Sequence, residues 1–112
     1  MKSAKPKHHI IDPYGVDLLM VSSKVPKPRA LISRFLEGPV DLDPGSVAQV
    51  IANSAIPSRI AVYIVAGADI DTCAHEAYHI TKNILERRSI TDEEAYAYLL
   101  GHVTRILHDY FC

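Results

Sequence analysis

The sequence predicts an α+β fold, and three stretches carry that prediction. Ile60 to Ala66 is a run of β-branched, aromatic and small apolar residues that reads as a strand. Asp71 to Glu86 sets Cys73, Ala77, Ile80 and Ile84 at helical spacing, which reads as an amphipathic helix with one packed stripe. Ala95 to Leu107 repeats the helical pattern through Ala95, Leu99, Val103 and Leu107. The expected architecture is a small antiparallel sheet of about three strands packed on the first of these helices. The C-terminal helix follows it, and a further short helix comes after the first strand.

Composition sets the frame. A chain of 112 residues, 48% apolar and 22% charged, is sized for one domain with one modest core. No apolar run approaches a membrane span, and no apolar signal region follows the Lys-rich start, so a cytoplasmic setting is expected. Two cysteines make no disulfide framework, and with Cys73 in a helix and Cys112 the last residue no bridge between them is expected. Residues 1–34 hold seven Lys/Arg against two Asp, whereas residues 35–112 hold five Lys/Arg against eleven Asp/Glu. A basic leading end suits an anionic partner such as nucleic acid, but a solvated, partly mobile terminus is the favoured explanation and a nucleic-acid partner is not expected.

Taken in order, residues 1–10 show no periodicity and read as a loose basic arm, in which adjacent His8 and His9 are poorly placed to close a metal site. Asp12, Pro13, Tyr14 and Gly15 are turn chemistry. Val16 to Ser22 is a mostly apolar strand. Pro26 and Pro28 lead into a short helix, Arg29 to Glu37, with Leu31, Ile32, Phe35 and Leu36 on its apolar side and Gly38-Pro39 as its stop. Asp41 to Gly45 is an acidic loop without calcium-loop spacing. Val47 to Ala52 is a strand expected to pair in antiparallel fashion with Ile60–Ala66. Asp69 or Asp71 is the N-cap of the long helix, and Thr91 that of the last. Gly101, in mid-helix, costs about 1 kcal/mol against Ala, for which close backbone packing is the expected reason.

The chemistry lies in His75, Glu76, Ala77, Tyr78 and His79. On a helix His75 and His79 project from one face, one turn apart, and two imidazoles at that spacing can hold one Zn²⁺. Glu76 lies one step round from His75, beside such a metal and not on it, where a carboxylate can take a proton from water. A catalytic zinc takes a third protein ligand. Glu94, fifteen residues after His79 at the start of the next helix, is the candidate. It also closes a Thr91-to-Glu94 capping box. Glu93 and His102 are reserves, His102 with a competing role in helix packing.

At these residues the chain resembles the zincin metallopeptidases of the gluzincin pattern. The resemblance implies His75, His79 and Glu94 as zinc ligands and Glu76 as the general base that activates water for peptide-bond hydrolysis. It covers roughly residues 60–107 and is sharper at the first motif than at the second. Ala74 to His79, together with Glu94 to Leu99, also looks like small phage- and prophage-encoded proteins that carry this motif pair. The oxyanion would rest on zinc, helped by Tyr78, Tyr98 or His102. Tyr98 is favoured because it lies one turn after Glu94 on the same face. A peptide substrate could add to Ile60–Ala66 if that strand were a sheet edge near the helix. The rival expectation is a non-catalytic structural or interaction protein with a structural or vestigial zinc site.

Overall fold

The computed structural model describes residues 3–112. Its elements are β1 (Lys7–Ile11), β2 (Val16–Ser22), α1 (Pro28–Leu36), β3 (Ala48–Ala52), β4 (Arg59–Ile64), α2 (Ile70–Arg87) and α3 (Glu93–Phe111). The α+β class holds, with one sheet of four strands in the order β1-β2-β4-β3.

The sheet differs from expectation in two ways. First, the arm is not loose over its described part. Lys7–Ile11 pairs with β2 in antiparallel register, Ile11 opposite Val16. Gly15, at φ +66°, supplies the left-handed residue of the intervening turn, which has a cis Asp12–Pro13 peptide. Lys7, His8, His9 and Ile10 show no apolar alternation because an edge strand of this kind is held by its ladder and its neighbours. The His8 ring meets the Asp17 carboxylate at 2.9 Å, and Tyr110 donates its hydroxyl proton to the Lys5 carbonyl. Residues 1–2 of the expected arm lie outside the described residues.

Second, the sheet is mixed. β3 and β4 form the expected antiparallel pair, but β2 and β4 run parallel, Leu18 opposite Ile60 and Met20 opposite Val62. α1 and β3 make the crossover between them. Such a central parallel pair needs cover on both faces, and its strands are accordingly apolar on both. Leu18, Met20, Ile60, Val62 and Ile64 face α2 and α3, while Leu19, Val21 and Ala61 face Ile32 and Leu36 of α1. Each fully buried Leu or Ile here contributes about 1.5–3 kcal/mol.

The helices form where their stripes predict. Cys73, Ala77, Ile80 and Ile84 are all fully buried against the sheet. Asp69 caps α2, its carboxylate accepting from the Thr72 amide at 3.1 Å. Asp92, not Thr91, caps α3, accepting from the Glu94 amide at 3.1 Å, so the anticipated capping box is not what starts this helix. Gly101 is exposed, and a Cβ built on it would meet no atom within 4 Å, so close packing is not the reason for it. Among the described residues no helix is long and apolar enough to cross a membrane.

Candidate metal centre

Position in the fold decides what each side chain of α2 can reach. Cys73, Ala77, Ile80 and Ile84 turn that helix so that the opposite side is exposed, and His75 and His79 lie on that exposed side. Their rings stand edge to face with centroids 4.9 Å apart, and their Nε2 atoms are 3.2 Å apart. Two ligands on a tetrahedral zinc with bonds of about 2.0–2.1 Å are separated by about 3.3 Å. The imidazole pair therefore fits two corners of such an ion. An N–H···N bond between complementary tautomers spans the same distance without a metal.

Glu76 lies on the flank of α2 that turns toward β3, and only 6% of it is exposed. It forms part of the wall of an open cleft between α2 and β3. One end of the cleft, about 370 Å³, is bounded by Val47, Ala48, Asp71, Thr72, His75 and Glu76. The other, about 440 Å³, adds Gln49, Val50, His79 and Asn83. The strand beside the site is thus β3, which among the described residues pairs only with β4 and forms the sheet edge. Ile60–Ala66 is not that edge, because β4 lies between β2 and β3.

The remaining candidates lie elsewhere. Glu93 and Glu94 are exposed on the first turn of α3. Among the described residues no group of three or more His, Cys, Asp and Glu side chains converges to hold a metal ion, so Glu94 does not join the imidazole pair in this arrangement. The reason is the hairpin. α3 starts beside the C-terminal end of α2, whereas His79 lies eight residues before Arg87, about 12 Å back along the axis. Tyr98 is 78% exposed and borders a different cavity, of about 430 Å³, with Asp12, Pro13, Tyr14, Leu99 and His102. His102 meets the His9 ring of β1 at 5.9 Å between centroids, a contact between α3 and the sheet and not with α2. Burial, then the nearby His102 and Lys7 charges, lower the His9 pKa, with Asp12 opposing. Tyr78 is the tyrosine at the pair, with its ring 5.8 Å from that of His79.

Two residues at the cleft carry no motif signal. Asn83 continues the row of His75 and His79 by one more turn, so helical spacing alone could have nominated it. Gln49 arrives from a strand distant in sequence, and nothing local marks it.

The two cysteines are free, and their sulfurs are 3.8 Å apart. Burial first, and then the Cys112 thiol beside it, push the Cys73 thiol up to about 12.

No family model matches this sequence, and neither a curated protein nor a solved structure matches the chain.

Proposed function

We propose that the chain is a zinc-dependent metallopeptidase that hydrolyses peptide bonds at the α2–β3 cleft. The observation that supports it most is the 3.2 Å between the Nε2 atoms of His75 and His79, which matches two corners of a tetrahedral zinc. When bound, zinc supplies Lewis-acid polarisation of the scissile carbonyl and a lowered water pKa. His75 and His79 would hold it. Glu76, buried on the cleft wall next to His75, takes the proton of the attacking water and returns it to the leaving amine. β3 offers an unpaired edge along the cleft, on which an extended peptide can be held by strand addition. Tyr78, packed on His79, is better placed than Tyr98 to touch a substrate there. A cytoplasmic setting, that of the host for a phage-encoded chain, belongs to the same proposal.

One observation favours a second reading, a non-catalytic structural or interaction protein with a vestigial zinc site. Among the described residues no third His, Cys, Asp or Glu gathers with the imidazoles, whereas a catalytic zinc takes three protein ligands.

Metal analysis of the purified chain, followed by digestion of a peptide library by wild type and Glu76→Gln, separates the two. The peptidase reading expects one zinc in both proteins and cleavage by wild type alone, abolished by a chelator. Zinc-independent cleavage, equal cleavage by both, or zinc without cleavage rejects it.

A further inference from the structure

We infer that Cys73 and Cys112 are a disulfide-forming modification site that ties the end of α3 to the start of α2. Their sulfurs are 3.8 Å apart across 39 positions of sequence, while a disulfide needs about 2.05 Å. About 1.8 Å of approach separates the two states. Cys112 follows the last turn of α3, held there by the hydrogen bond its backbone N–H donates to the His108 carbonyl at 2.9 Å. Its sulfur also lies 3.6 Å from the Ala68 carbonyl, at the β4–α2 connection. Cys73 is fully buried beneath it.

Burial divides the roles. Cys112 is exposed and meets an oxidant first, whereas Cys73 is buried with its sulfur beside that of Cys112. The oxidant is a low-molecular-weight disulfide such as glutathione disulfide. The Cys112 sulfur attacks one glutathione sulfur, forming a mixed disulfide and releasing the first glutathione as its thiol. The Cys73 sulfur then displaces the second glutathione, which leaves with the remaining proton. Two protein thiols are oxidised to one disulfide and one glutathione disulfide is reduced to two thiols. A metal at the same sulfurs would need further donors, and none converge among the described residues. A disulfide needs only the two present.

The bridge closes the α2–α3 hairpin at the end opposite its connecting loop. It thereby restrains the helix start that leads to His75, without using the His75, Glu76 or His79 side chains. The site stands whether or not zinc is bound.

The test equilibrates the full chain in glutathione buffers from fully reduced to fully oxidised, then quenches it with acid and alkylates free thiols. The expected product is a monomer about 2 Da lighter than the reduced chain. It carries no alkyl group and contains one cross-linked peptide pair holding both cysteines. Its Tm rises by about 10 °C or more over the reduced chain. Cys112→Ser, altered at an exposed position, gives neither the lighter species nor the rise. A persistent glutathione adduct on Cys112 with Cys73 free, a dimer linked through Cys112, or two free thiols in the most oxidising buffer would each overturn the inference.

Discussion

The Nε2 atoms of His75 and His79 face each other across 3.2 Å on successive turns of α2, while the Glu94 carboxylate belongs to the first turn of α3 and does not join them. This separates two effects that the sequence motif combines. His79→Ala is expected to lower zinc affinity by more than the ~10–100-fold that loss of an outer partner costs. Glu94→Ala is expected to leave it within about threefold, since Glu94 is not in position to bind. Competition titration with a chromophoric chelator measures both. A loss in Glu94→Ala as large as that in His79→Ala would show that α3 brings its first turn to the metal.

Gly101 is in mid-helix with open space around its missing Cβ. Gly101→Ala is therefore expected to stabilise the fold by about 1 kcal/mol, raising Tm by about 4 °C. Thermal unfolding followed by circular dichroism reads the shift. An unchanged or lowered Tm would mean that the glycine has a role the packing does not reveal.

Asp69 caps α2, and hydrogen bonds to its carboxylate, from the Thr72 amide first and then the Thr72 hydroxyl, hold its pKa below the ordinary carboxylate value. A carboxyl depressed in the folded state adds stability above its unfolded pKa and loses it as pH falls through the folded one. Stability should thus decline as pH drops below about 4. Asp69→Asn keeps the cap without the charge and should flatten that part of the acid limb in a urea-denaturation series. An identical limb in both proteins would assign the acid sensitivity to other carboxylates.

The thiols should differ in reactivity. Burial pushes the Cys73 thiol up to about 12 and covers it from solvent, whereas Cys112 is exposed. Brief treatment of the reduced native chain with iodoacetamide at pH 8 should modify Cys112 alone, as peptide mapping would read. Equal labelling of Cys73 would show that the end of α3 opens readily.

The local pattern of the chain determined much of this. Val16 to Ser22 is a strand with those bounds, and the stripe from Cys73 to Ile84 set which side of α2 packs on the sheet. That stripe, with helical spacing, put His75 and His79 together on the exposed side and Glu76 beside them. These features depend on neighbours within a few residues, where periodicity of 2.0 or 3.6 carries the information. Tertiary structure decided the rest. Lys7 to Ile11 became a strand because β2 offered an edge, not because its own residues alternate. β4 became central because β2 pairs with it in parallel, which made β3 the edge at the cleft and brought Gln49 there. The hairpin placed Glu94 beside the far end of α2, and the end of α3 carried Cys112 to Cys73. Each of these is a meeting of segments remote in sequence. Such meetings follow from how whole helices and strands pack against one another, and residue spacing within a single element does not encode them.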